Sequence, residues 1–259
     1  MNRFEGKTVI VTGASSGIGE GIARRFADEG ANVVLNSVDE DKLEEVAAKL
    51  PSERTFICAG DVSDPGTAQH IVDRTVEKFG ALDVLCNNAG IAVMAQLQDT
   101  DQDDIDRVLD VNVKGVINMS KAAYEPLKAS GGSIVNTSSV SGIGGDWGLA
   151  IYNTSKGAVT NLTRALALDW GRDGVRVNAV NPSLIRTELS EDMFDNDKLI
   201  SAFETRIPLQ RTGCPDDVAG PVLFLASEDA KFVSGVQLPV DGGLSASNGQ
   251  PPIGEYQIG

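Results

Sequence analysis

The chain has one histidine, His70, among 259 residues. That scarcity removes the side chain most often used for proton transfer near neutral pH. Its three cysteines, Cys58, Cys86 and Cys214, show no C-x-x-C spacing, which argues against a disulfide framework and a zinc site. Positive charge is short as well: 22 basic against 37 acidic residues give a formal net charge of −15. Such a surface repels nucleic acid and anionic membranes. No apolar run approaches the roughly 18 residues of a membrane span, and residues 1–7 lack the apolar core of a secretory signal. The expectation is a cytoplasmic protein with reduced thiols, no metal, and neither nucleic acid nor membrane as partner.

Strand-like and helix-like periodicity alternate along the whole chain. Apolar runs at 7–12, 32–36, 54–59, 82–86, 133–137 and 175–180 read as strands, with a weaker seventh at 236–240. Helical spacing falls between them at 17–29, 40–50, 65–79, 102–129, 152–172 and 215–227. That order predicts an α/β fold, a doubly wound parallel sheet of about seven strands with helices on both faces. Nothing divides the chain, so a single domain over 1–259 is expected. The polar, acidic stretch 183–212 lacks a strong pattern and reads as a mobile lid over a site, and 245–259 as a tail that packs on a neighbouring surface or frays.

Directly after the first strand stands Thr12-Gly13-Ala14-Ser15-Ser16-Gly17-Ile18-Gly19, opening onto a helix. Glycines there let the backbone turn tightly and approach a pyrophosphate, whose charge suits a helix N-terminus. Residues 13–17 also satisfy G-x-S-x-G, the nucleophile elbow of serine hydrolases. Such a hydrolase needs a histidine late in the chain to activate its serine. His70 lies early, inside the third predicted helix, where it reads as a surface residue.

Tyr152 and Lys156 stand four apart at a helix start, and Ser139 closes an apolar run thirteen residues upstream. A phenol near pKa 10 is a poor base at neutral pH. An ammonium about 5 Å away, at an effective dielectric near 20, favours the phenolate by roughly 3 kcal/mol. The trio can then move a proton at a substrate oxygen without histidine.

With Asp61-Val62, Asn87-Asn88-Ala89-Gly90, Asn112 and Asn181-Pro182 in order between and after these motifs, the sequence resembles the short-chain dehydrogenase/reductases along essentially its whole length. The resemblance implies a single Rossmann-like domain that uses NAD or NADP to interconvert an alcohol and a carbonyl. It implies Tyr152 as acid/base, Ser139 as holder of the substrate oxygen, and Lys156 as the group that lowers the tyrosine pKa and binds the nicotinamide ribose. Asn112 would kink its helix to hold a relay water; a buried structural amide is the alternative. For the dinucleotide the resemblance implies Gly13, Ser15, Ser16, Gly17, Ile18, Gly19, Ser37, Asp61, Val62, Asn88, Ala89, Gly90, Tyr152, Lys156, Pro182, Ile185 and Thr187. Asn87 would brace neighbouring strands.

Two departures stand out. NAD-preferring members carry an acid where Ser37 stands, and NADP-preferring members place Arg or Lys where Val38 and Ser16 stand, so the sequence leaves the choice between NAD and NADP open. The usual Pro-Gly after the sixth strand is Pro182-Ser183. The stretch 135–148 and the segment from Asp241 to Pro252 resemble the bacterial meso-2,3-butanediol dehydrogenase/acetoin reductase group. By position, Ser139, Val140, Asp146, Trp147, Asn153, Ser183 and Leu184 would line the substrate pocket, with Trp147 either its aromatic wall or a packing residue. The expected substrate is a small alcohol or ketone, leaning to a vicinal diol or acyloin, with polyols, sugars and other ketones open. A catalytically silent nucleotide-binding regulator is the alternative of another class. Homotetramers are common in the family, and one is expected here.

Overall fold

The computed structural model describes residues 2–250. Seven parallel strands form one sheet in the order β3-β2-β1-β4-β5-β6-β7. They are β1 (Thr8–Thr12), β2 (Asn32–Asn36), β3 (Thr55–Ile57), β4 (Val84–Asn87), β5 (Ser133–Thr137), β6 (Arg176–Pro182) and β7 (Gln237–Val240). The helices are α1 (Gly17–Asp28), α2 (Glu40–Ala47), α3 (Pro65–Phe79), α4 (Gln102–Leu109), α5 (Gly115–Ser130), α6 (Val140–Ile143), α7 (Ala150–Trp170), α8 (Glu191–Phe194), α9 (Asp197–Arg206) and α10 (Pro215–Ala226).

Strand periodicity sorts the core into two layers. Val9 and Val11 of β1 face one way, into a cluster with Phe26 of α1 and Val218 and Val222 of α10. Ile10 between them points to the other face and packs with Ile71 of α3 and Met119 and Leu127 of α5. Because every residue of β1, β4 and β5 is buried, their central residues, 9–11, 84–86 and 134–135, are continuous apolar runs rather than alternating ones. Strand order reverses between β1 and β4, and that switch point opens a crevice at the carboxyl ends of the strands.

Helix boundaries follow their caps. Asp64 accepts a hydrogen bond from the Thr67 amide at 2.6 Å ahead of Pro65 in the first turn, and Gly80 closes α3 in the left-handed region at φ 82°. The sheet's third strand ends at Ile57, short of the expected 54–59; beyond it Asn36 Nδ2 donates to the carbonyls of Cys58 and Gly60 at 2.9 and 3.0 Å, while the Cys58 and Gly60 amides still reach the Leu35 and Ser37 carbonyls.

Two expectations are corrected. The stretch 102–129 is not one helix: a π turn, Asp110–Lys114, separates α4 from α5. The segment 183–212 is not patternless either, since it holds α8 and α9 and is tied at its base by a bridge between Ile185 and Gly213. Of the expected tail 245–259, residues 251–259 lie outside the described part. Among the described residues no helix is long and apolar enough to cross a membrane, and no cluster of His, Cys, Asp and Glu could hold a metal ion.

Candidate active site

The glycine-rich turn and the Asn88-Ala89-Gly90 turn meet in the crevice beside the switch point. Thr12 Oγ1, at the end of β1, accepts the amides of Asn88 and Ala89, each at 3.0 Å. Asn88 Nδ2 returns bonds to the carbonyls of Thr12 and Gly13 at 3.1 and 3.3 Å. The side chain of Asn88 therefore braces the two turns against each other. Gly13 adopts φ +65°, and a Cβ there would stand 2.8 Å from Ala89 Cα; one on Gly19 would stand 2.0 Å from the Gly13 carbonyl oxygen. Only glycine fits either position. Ser16 is the N-cap of α1 but makes no side-chain cap bond, so the first amides of a 12-residue helix are free for an anion. A glycine cradle and an open helix end fit a pyrophosphate.

Around the turn, Ser15 Oγ donates to Ser37 Oγ at 3.0 Å, which places both hydroxyls at the end of β2. Asp61 is exposed and accepts the Ser63 amide at 2.8 Å. Val62 is buried against Gly115 of α5 and its carbonyl accepts Asn118 Nδ2 at 3.1 Å, so this residue serves the core. Ile18 is half-buried at the start of α1. Pro182 and Ile185 are buried where β6 ends, and Thr187 rests on Gly17, where a built Cβ would stand 3.0 Å from the threonine Cβ.

Tyr152 and Lys156 come from the first turns of α7, and Ser139 caps α6 just beyond β5. Lys156 Nζ lies 5.7 Å from the Tyr152 ring centroid and donates to the Thr137 carbonyl at 2.9 Å. Asn112 sits in the π turn: its Oδ1 accepts the Ile91 amide at 2.8 Å, and its Nδ2 donates to the Ile91 carbonyl at 2.8 Å and to Ser155 Oγ at 3.0 Å. Gly90 is what lets these meet, since a Cβ there would be 3.3 Å from both Asn112 Oδ1 and Lys156 Nζ. Four chemistry-bearing side chains from three helical elements thus share one end of the sheet.

Electrostatics depart from the simple expectation for the pair. Burial pushes the Tyr152 phenol up from its ordinary value; the Ser139 hydroxyl pulls it back, and the charge of Asp146 raises it further. Lys156 does not pull it down. Its own ammonium is buried, which lowers its pKa to about 8, and its hydrogen bond goes to the Thr137 carbonyl. In this state the phenol is protonated at neutral pH.

On the substrate side, Ser139 Oγ donates to Ser141 Oγ at 3.1 Å, and Ser141 Oγ donates to Asp146. Asn153 Nδ2 holds the Asp146 carbonyl at 2.9 Å, while Asn153 Oδ1 is buried without a partner. Val140, Ser183 and Leu184 are half-buried beside this network. Trp147 is 99% exposed, so in the single chain it is no wall of a closed pocket; with Gln96, Leu97, Asp146 and Asn153 it borders an open cavity of about 510 Å³. His70 is exposed on α3, away from these groups.

Sequence reasoning missed Thr12, Ser141 and Ser155. A threonine ending the strand before a glycine-rich turn is a readable signal for the first. The other two are helix serines, which carry no signal until the fold brings partners to them.

A family model described as enoyl-(acyl carrier protein) reductase matches residues 13–245. A meso-2,3-butanediol dehydrogenase from Serratia marcescens is 47% identical over 251 residues, covering 97% of this chain and 99% of that protein. An L-rhamnose 1-dehydrogenase (NAD(P)(+)) from a Sphingomonas strain is 39% identical, covering 94% and 98%. The crystal structure of a gluconate 5-dehydrogenase from Burkholderia cenocepacia, in complex with NADP and tartrate, superposes with a TM-score of 0.90 at 34% identity, covering 95% of this chain and 98% of that one. Seven parallel strands, a glycine-rich turn at the switch point and full-length kinship with these dehydrogenases place the chain in the short-chain dehydrogenase/reductase family of oxidoreductases.

Proposed function

We propose that this protein interconverts a small secondary alcohol and its ketone with NAD(P), and that its substrates are vicinal diols and acyloins of the 2,3-butanediol/acetoin type. One observation carries the reaction: Ser139, Tyr152, Lys156 and Asn112 converge beside a turn whose glycines and open helix end suit a dinucleotide. The substrate class rests on the 47% identity to a meso-2,3-butanediol dehydrogenase.

When bound, the dinucleotide supplies or takes the hydride. Gly13, Ser15, Ser16, Gly17, Ile18 and Gly19 would hold its phosphates and Ser37 and Asp61 its adenosine. Gly90, Lys156, Pro182, Ile185 and Thr187 would hold its nicotinamide half. Ser139 and Tyr152 grip the substrate oxygen between two hydroxyls, which fixes the reacting carbon in register. In reduction Tyr152 gives its phenolic proton to the alkoxide oxygen; in oxidation it takes the alcohol proton. Lys156 keeps a positive charge near the phenolate so formed. Asn112 ties the loop after β4, at Ile91, to the helix that carries Lys156, through Ser155. Residues 183–212 act as a lid over the crevice. The working form is a homotetramer, and three unpaired cysteines fit a reducing, cytoplasmic compartment.

A polyol or sugar is the second reading, favoured by the similarity to an L-rhamnose dehydrogenase and a gluconate dehydrogenase. Following NADH and NADPH absorbance with acetoin, diacetyl, rhamnose and gluconate-type substrates decides between them. Turnover highest with the acyloins supports the proposal; turnover confined to sugars replaces it, and binding of either dinucleotide with no turnover on any substrate makes the chain a silent binder.

A further inference from the structure

We propose that Glu188, carried on the segment after β6, is the carboxylate that selects NAD over NADP, held at the adenosine-ribose end of the glycine-rich turn by Lys42. The inference rests on the reading that a dinucleotide lies along that turn.

Ser37 stands at the end of β2 where an acid would repel a 2′-phosphate. The hydroxyl there is not alone. Ser15 donates to it at 3.0 Å, and the Asp39 amide donates to it at 3.4 Å. Asp39 in turn caps α2 by accepting the Lys42 amide at 3.1 Å. Lys42 Nζ then reaches across to both carboxylate oxygens of Glu188, at 3.0 and 2.9 Å. The contact of Thr187 with Gly17 fixes where Glu188 can stand, immediately beside the turn. Lys42 and a hydrogen bond from Ser16 hold the Glu188 carboxyl below its usual range, so the group is ionised. Ser37, Ser15, Ser16, Glu188, Lys42 and Asp39 are thus linked side by side along the edge of the glycine-rich turn, where the dinucleotide reading puts the adenosine ribose.

Within that group the one cation is already neutralised by Glu188, while Asp39, Glu40 and Asp41 add further negative charge. A 2′-phosphate, carrying nearly two negative charges, would meet a carboxylate and have no free cation to bind. A ribose hydroxyl can instead donate to the same carboxylate. The pair is largely exposed, 43% and 60% at the side chains; exposed pairs contribute little to folding, so removing the carboxylate reads out ligand charge rather than fold.

Titration of NADH and NADPH by quenching of protein fluorescence, on wild type and Glu188→Gln, tests this without turnover. Wild type should bind NADH the more tightly, and Glu188→Gln should move the NADPH-to-NADH ratio of dissociation constants by about tenfold toward NADPH, as expected for one charge a few ångströms from a phosphate. In the double variant Lys42→Met with Glu188→Gln, part of that gain should disappear, because Lys42 freed by the first change is what attracts the phosphate. An unchanged ratio in Glu188→Gln, or a wild type that prefers NADPH, overturns the inference while leaving the dinucleotide reading intact. If neither dinucleotide binds wild type, both fall together.

Discussion

Tyr152 and Lys156 illustrate how burial acts on a titrating pair. Desolvation disfavours the charged form of each, so the phenol's pKa rises and the ammonium's falls to about 8. A phenol protonated at pH 7 is ready to donate and must first lose its proton to accept one. Alcohol oxidation should therefore show a kcat/KM that climbs from pH 7 to 9, with carbonyl reduction nearly flat over that range; a flat oxidation profile would contradict the assignment of Tyr152 as base. Lys156 also links stability to pH. Its folded value lies below its unfolded value of 10.5, so the unfolded chain binds more protons between the two, and stability rises as pH climbs from about 8 to 10.5. Below pH 8 the full penalty, on the order of 3 kcal/mol, stands. In urea unfolding, the stability of Lys156→Met relative to wild type should fall by about 2 kcal/mol between pH 7 and pH 9.5. A difference independent of pH would mean that Lys156 is not charged and buried in the native state.

At the scale of elements, the π turn Asp110–Lys114 is the piece that aims Asn112. An extra residue in a helical turn rotates the following side chains and commonly marks a functional site. Asn112→Ala leaves the Ile91 amide and carbonyl without their partners inside the protein, a loss of roughly 2–4 kcal/mol, read as a lower urea midpoint; a midpoint equal to wild type would show that water replaces the amide. Elements were legible unevenly. β1, β4 and β5 declare themselves because strands buried on both faces carry unbroken apolar runs at their centres, and α3 because Asp64, Pro65 and Gly80 bound it. The π turn is silent, since Asp110-Val111-Asn112-Val113-Lys114 keeps helical periodicity. α8 and α9 are masked by charge: Glu191, Asp192 and Asp197 make the segment look like a loop, although acids in a first turn stabilise a helix. For the site, Tyr152-x-x-x-Lys156 and the glycine spacing are local patterns. The links from Ser141 to Asp146 and from Lys42 to Glu188 depend on how segments meet, the latter across 146 positions, and no pattern in one sequence encodes them.

Across the whole molecule, the outer surface of α5 and α7 carries an apolar patch. Ile117, Tyr124, Leu162, Leu166 and Trp170 line a shallow apolar depression. A homotetramer built on these helices would bury them. Ile117→Arg should then lower the sedimentation coefficient toward that of a smaller species. Raising ionic strength should tighten such an assembly by screening the −15 charge on each chain. A wild type that sediments as a monomer at every concentration would remove this face from the argument. That the protein moves a hydride to and from a small carbonyl with Tyr152 passing the proton is tested most directly by Tyr152→Phe, assayed with acetoin beside a titration of the dinucleotide. The variant should keep its dinucleotide affinity within about threefold while kcat drops by about 10²–10⁴. Retention of more than about a tenth of wild-type kcat, with binding intact, would contradict it.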